Sequence, residues 1–339
     1  MVTDKSTGRP LVTSEASLLS KRIADLQLTI SGTRLEILLQ KLYLELAAAG
    51  LTNFTPGAYL SDEWGCPTGV PVIGIPFYLA SPDLCALECQ FTGVAAESDD
   101  EIMMYLRHEA GHAFNYAHKL YNLVEWSKIF GDYKSPYRET YGVVPFSSDF
   151  VRHIPGWYAQ KHPDDDFAET FAVWLTPGSD WNKIYTDTGA LKKLLYVDKL
   201  AKSHNSKPAI VSKRALDTPV EEITMTLDTW YKTYSTHSHD KIVTNPILDE
   251  DLRRAFPDAV GEPAGEVIER EQIGLVYSIN EWTGLERHVV SDLVENLISR
   301  IKALGLKIDP VNKESALRSF AIIAATLSMN YLNRGKFID

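Results

Sequence analysis

At 339 residues, with 45% apolar and 23% charged side chains, the chain has the balance of a globular protein large enough to bury a sizeable core, and its length predicts two domains. A formal net charge of −11 argues against nucleic acid and against an anionic membrane surface as partners. The most apolar run, Ala321 to Leu332, is interrupted by Thr326, Ser328 and Asn330, so no membrane span is expected. Asp4, Lys5 and Arg9 deny the N-terminus the apolar stretch of a signal peptide. Cys66, Cys85 and Cys89 are an odd number, which predicts buried thiols in a reducing cytoplasm rather than a disulfide framework.

Residues 1–13 read as a loose tail. Ser14 to Leu28 and Thr33 to Ala49 carry leucines at helical spacing, with Gly50 as a stop, although Leu26, Leu28 and Ile30 also alternate as in a strand. These stretches predict an N-terminal helical segment over 1–56. From Gly57 the texture turns β-like, in Ala58-Tyr59-Leu60 and in Val70 to Tyr78. Prolines 71 and 76 place the second run at a sheet edge, where an extended peptide could add as a strand.

Ser98-x-x-Glu101 then reads as a capping box opening a helix. Ile102, Leu106, Ala110, Ala113, Phe114 and Ala117 form its apolar face. That helix carries His108-Glu109-Ala110-Gly111-His112. Histidines four residues apart put both imidazoles on one face, able to reach one metal ion, with Glu109 placed as a general base for a water. Gly111 costs helix stability, roughly 1 kcal/mol against alanine, so a packing or site reason is expected for it.

Tyr121 to Trp157 is aromatic-rich and without period. Pro163 and the aspartates after it start a second helix that ends before Pro177-Gly178, with Phe167, Phe171 and Trp174 toward a core. Three acids in a first turn read most simply as capping, and His162 as a solvated loop histidine. Gly178 to Lys202 is helical in pattern and residues 203–219 read as a linker. Helices follow over Glu222–Tyr234, Glu266–Tyr277, His288–Leu304 and Glu314–Leu332. The C-terminal third carries no catalytic motif, and packing is its expected role.

Three residues compete as third metal ligand. His118 stands where the long motif His-Glu-x-x-His-x-x-Gly-x-x-His has its last histidine, but Asn115 replaces the glycine that bends the helix back. Alternatively a carboxylate on a later helix binds, with a second acid one turn on supporting a ligand histidine through its other ring nitrogen. Asp165 and Glu169 have that spacing, and either could be the ligand.

With Phe167-Ala168-Glu169-Thr170-Phe171-Ala172 downstream of His108-Glu109-Ala110-Gly111-His112, the sequence resembles the gluzincin-like zinc-binding metallopeptidases of bacteria. The same local pattern recurs in anthrax lethal factor and in the proline-proline endopeptidases. The resemblance implies an α+β, zincin-like core over 57–202, Zn²⁺ as cofactor and a peptide or protein substrate; it says little of the C-terminal region over 203–339, which the helical spacing makes mainly helical. It implies His108, His112 and Asp165 as metal ligands, Glu109 as catalytic base and Tyr158, seven residues before Asp165, as a catalytic tyrosine. His153 is a second candidate donor. The family usually has Glu where this chain has Asp165. The shorter side chain requires a closer helix approach, or else Glu169 takes the ligand's place. The competing reading is a non-catalytic zinc-binding protein whose site serves structure or partner binding.

Overall fold

A computed structural model of the chain describes residues 13–138, 141–205, 207, 215–236 and 246–338. The expected tail, up to residue 12, and much of the expected linker over 203–219 lie outside these. The fold is α+β, dominated by helices, with two small two-stranded sheets among the described residues.

Gly57–Ser61 pairs in parallel with Val72–Pro76, so both β-like runs of the sequence are strands and each lies at an edge. The connection between them, residues 62–71, is short for a parallel pair. It doubles back so that Gly65 bridges Gly74 antiparallel, next to Trp64. Ile73 and Ile75 of the second strand are fully buried in the main core.

The motif helix, Asp99–His118, begins as predicted. Ser98 Oγ accepts from the Glu101 amide, and Glu101 Oε2 accepts from the Ser98 amide. Its predicted apolar face is buried throughout. The helix is tied to Arg34–Ala48 by a bidentate pair, Arg107 Nε and Nη2 donating to Glu45 at 2.7 and 2.8 Å. Its main partner is the second helix, Pro163–Leu175, which buries Phe167, Ala168 and Phe171.

One core gathers apolar side chains from Leu19 to Tyr231, and a second gathers those of the C-terminal helices from Leu248 to Phe337. The C-terminal helices Ala264–Thr283 and Lys313–Arg334 run beyond their predicted limits, and Arg287–Ala303 matches its own to within one residue at each end. The two bodies meet where Gly156 and Gly284 cross. Both glycines have left-handed φ, and a side chain on either would strike the other's backbone. Arg287 pairs with Glu101 across this junction, and Ser291 Oγ donates to Thr92 O at 3.2 Å.

Several local expectations change. The first segment is a short helix, Thr13–Leu19, followed by a 3-10 turn, Ile23–Leu26, and the alternation at 26–30 forms no strand. The helix expected over 178–202 breaks at Asp187, φ +61°, into Trp181–Ile184 and Gly189–His204. Helices Pro82–Thr92, Val124–Phe130 and Pro246–Ala255 lie outside the expected elements. The three cysteines are free thiols, but only partly buried.

Gly111 faces the second helix. A methyl group there would lie 2.8 Å from Ala168 Cα and 3.0 Å from its carbonyl oxygen, contact with backbone that cannot swing away. Gly111→Ala therefore lowers stability by about 1–3 kcal/mol, against the roughly 1 kcal/mol gain in helix propensity, because it forces the two helices apart. Urea unfolding midpoints of the two proteins check the sign.

Candidate metal centre

The motif helix and the second helix bring three side chains together. His108 Nε2 and His112 Nε2 lie 3.1 Å apart, and Asp165 Oδ1 lies 3.8 and 3.6 Å from them. All three residues are buried, at 2%, 9% and 2% exposure. Four donors around one ion at bond lengths of about 2.0–2.1 Å stand roughly 3.3 Å apart, so these separations suit a single tetrahedral ion. Asp165 Oδ2 is buried without a hydrogen-bond donor. A buried carboxylate lacking a compensating charge costs several kcal/mol, and a cation among these three atoms would supply one.

The far nitrogen of each imidazole meets a different acid. His108 Nδ1 is 2.8 Å from Glu169 Oε1, and Glu169 Oε2 accepts from the amides of His153 and Ile154 at 3.2 and 3.0 Å. Both oxygens of Glu169 are thereby engaged away from the cluster. His112 Nδ1 is 3.2 Å from Asp164 Oδ2, off the line of an ideal hydrogen bond. Carboxylates can only accept, so each Nδ1 carries a proton, and Nε2 is the nitrogen of each ring left to face an ion. Burial, then the neighbouring His112, holds the His108 pKa down at about 3. For His112 burial works against the charge, but Asp164 outweighs it and raises the pKa well above the ordinary value.

Asp164 is the residue the sequence reading missed. Besides His112 it accepts from Asn115 Nδ2 at 2.7 Å and Tyr116 OH at 2.5 Å. Asn115 Oδ1 in turn accepts from the Tyr121 amide at 3.0 Å, pinning the turn after the motif helix. The first-turn acids are thus more than caps: Asp164 supports a histidine, Asp165 faces the cluster, and Asp166 binds Lys193 Nζ at 2.7 Å. His162 is not solvated either. It is 8% exposed, caps the helix by accepting from the Asp164 amide, and its Nε2 donates to Ser135 O. A usable signal exists in the sequence: successive helical residues point about 100° apart, so three adjacent acids cannot share one solvent face.

The motif helix does not bend at Asn115. It continues to His118, which packs against Phe114 and His204 with ring centroids 4.9 and 5.1 Å away. His118 is not among the residues that meet at the cluster. His153 is occupied too, its Nε2 donating to Met104 O at 2.9 Å.

Glu109 is 5% exposed, and its Oε2 has no hydrogen-bond partner. Burial is the main cause that lifts its pKa to about 7, with Asp165 and Asp164 adding and His112 opposing. Tyr158, on the 3-10 turn Tyr158–Gln160, sets its ring edge-on to His108 at 5.5 Å. Its hydroxyl is 3.2 Å from that of Tyr137, and Lys161 Nζ lies over both rings. Burial, then Asp165, pushes the Tyr158 phenol well above its usual range, so it remains a proton-bearing donor.

His108, Glu109, Tyr137 and Tyr158 line one cleft of about 500 Å³. Its far wall comes from the C-terminal helices, through Asn280, Glu286, Arg287 and Glu295 among others, so that region does more than pack.

These contacts rank the candidate ligands. Asp165→Ala is expected to abolish stoichiometric metal binding, Asp164→Asn and Glu169→Gln to weaken it by about 10–100-fold, and His118→Ala to leave it unchanged. Competition with a chromophoric chelator measures all four.

No curated protein and no solved structure gives a significant match to the chain. A family profile does match, over residues 95–228, and that family is described as "putative zinc-binding metallo-peptidase". The matched span holds the motif helix, the Tyr158 turn and the second helix, that is, every residue of the His108–His112–Asp165 cluster. Over residues 95–228 this chain is therefore similar to the putative zinc-binding metallopeptidase family.

Proposed function

We propose that this chain is a zinc-dependent peptidase with a zincin-like catalytic core over residues 57–202, flanked by helical regions over 1–56 and 203–339. The observation that carries the reading is the meeting of His108 Nε2, His112 Nε2 and Asp165 Oδ1 beside a cleft that His108 and the unpartnered Glu109 carboxylate both line. Two imidazoles and one carboxylate are a donor set suited to zinc, and a purely structural site uses four protein ligands. His108, His112 and Asp165 would hold the ion, with Glu169 and Asp164 fixing the imidazoles. When bound, zinc supplies Lewis acidity to a water and to the scissile carbonyl.

The chain's own groups manage the protons. Glu109, with a pKa near neutrality, takes a proton from the attacking water as its oxygen bonds to the carbonyl carbon. As the C–N bond breaks, Glu109 returns that proton to the leaving nitrogen, so the water is divided between the two products. Tyr158 keeps its proton and donates a hydrogen bond to the carbonyl oxygen as negative charge develops there. Tyr137 and Lys161 restrain the Tyr158 ring and hydroxyl from the cleft side.

Glu109→Gln is expected to retain about one zinc per chain while hydrolysis of a quenched fluorescent peptide library falls by about 10²–10⁴-fold. Tyr158→Phe is expected to lower kcat by about 10²-fold with little change in KM. Full activity in the Gln variant would remove this mechanism. Stoichiometric zinc in a wild-type protein that cleaves no peptide would leave the metal-binding, non-catalytic reading in its place.

A further inference from the structure

The cleft continues past Glu109 into a recess with an unusual lining. Tyr105, one turn before Glu109 on the motif helix, stacks on Trp64 at 5.2 Å with the rings 18° apart. Phe91 stacks on Tyr231 at 4.8 Å and 12°. All four rings line the cleft, as do Glu88 and Glu97. Glu97 is 9% exposed and accepts from Trp64 Nε1 at 3.3 Å and from Tyr78 OH at 3.1 Å. Glu88 Oε2 is buried without a hydrogen-bond donor.

Two carboxylates are thus enclosed by aromatic faces, and the cations close to this part of the fold are engaged elsewhere. Arg34 lies against Asp99 and Cys85, and Arg287 pairs with Glu101. Burial is the main cause that lifts the Glu88 pKa to about 8, with Glu97 adding, and no cation is among its influences. A positive group entering the recess would meet two carboxylates and several ring faces, an arrangement that attracts ammonium and guanidinium groups most strongly where water is excluded.

We propose that this recess is a specificity pocket for a basic side chain, Lys or Arg, of a peptide lying in the cleft. The proposal rests on the peptidase reading for the identity of its ligand. Tyr105 precedes Glu109 by about 6 Å along the helix axis, and an extended peptide advances about 3.3–3.6 Å per residue. The pocket therefore serves a residue within about two positions of the scissile bond. Glu286 and Glu295 on the opposite wall add to the negative field that a basic peptide meets on entry.

The test uses fluorescein-labelled alanine hexapeptides carrying one Lys at each of the six positions in turn, each paired with norleucine at the same position. They are titrated onto zinc-loaded, full-length Glu109→Gln protein by fluorescence anisotropy, and the wild type is assayed for cleavage of the same series. At one position or more, Lys should bind about tenfold tighter than norleucine. Adding Glu88→Gln or Glu97→Gln should bring the pair to near equality, and Trp64→Leu should reduce the gap. Either charge variant decides the matter if the other fails to fold. Equal binding of Lys and norleucine at all six positions, or a preference that survives both charge substitutions, overturns the pocket. Lys-selective binding with no cleavage by the wild type retains the pocket and removes the peptidase reading. Cleavage without charge preference does the reverse.

Discussion

The closeness of two helices at Gly111 is the constraint on which the site depends. With only hydrogen on its α-carbon, Gly111 lets the backbone of Ala168 come against the motif helix, where a methyl group would sit 2.8 Å from Ala168 Cα. Asp165 stands one turn before Glu169 on that same second helix. Aspartate is a methylene shorter than glutamate, so its carboxylate reaches less far from the helix. The close crossing makes up the difference, placing Oδ1 within 3.6–3.8 Å of both imidazole nitrogens. Wider spacing would withdraw Asp165 and loosen Glu169 from His108 together, since one rigid helix carries both.

That helix buries four carboxylates within six residues, and the environment of each sets its role. Asp164 gathers donors from His112, Asn115 and Tyr116, enough to hold its pKa below the ordinary value despite burial. Asp166 has the Lys193 ammonium at 2.7 Å, and Glu169 has one imidazole and two amides. Asp165 and Asp166 each keep one oxygen with no donor, but Asp166 has the Lys193 ammonium on its other oxygen, a compensating charge that Asp165 lacks. The uncompensated groups, Asp165 and Glu109, are those that face the cluster and the cleft, where an ion and a water would complete them. Acids that meet a cation or a full set of donors hold the architecture. Incompletely paired ones mark where chemistry can happen.

Much of this was legible in the sequence because it rests on local rules. Helical periodicity and a capping box located the motif helix, and a four-residue spacing put His108 and His112 side by side. Gly111 inside an otherwise well-formed helix signalled close packing before any partner was known. Spacing alone allows Asp165, Glu169 or His118 beside the two histidines; the family resemblance favours Asp165, and the helix crossing brings that residue together with them. The supporting role of Asp164 and the burial of His162 were hidden because first-turn acids and a histidine before proline look the same whether solvated or enclosed. Short helices such as Val124–Phe130, of seven residues, form against tertiary neighbours and lack the length for a clear period. The recess at Glu88 and Glu97 is assembled from segments distant in sequence, which no local pattern announces.

The C-terminal helices show how far a wall can influence a site without contributing a motif. At the Gly156–Gly284 crossing the backbone just before Tyr158 is pressed against the end of Ala264–Thr283. From the other side, the last helix fixes residues 141–143: Tyr141 donates its amide to Leu332 O, and Val143 donates to Asn333 Oδ1. Val144 then exchanges two hydrogen bonds with the Gln160 side chain, on the same 3-10 turn as Tyr158. The hydroxyl expected to meet developing charge is therefore positioned through two routes that both begin in the C-terminal region. Hydrogen bonds of this kind stabilise by only about 1 kcal/mol each, but they fix orientation, and a donor displaced by 1 Å loses much of its effect on a transition state. The helices that close the cleft also aim its tyrosine, so the cleft and the metal-facing cluster form one mechanical unit.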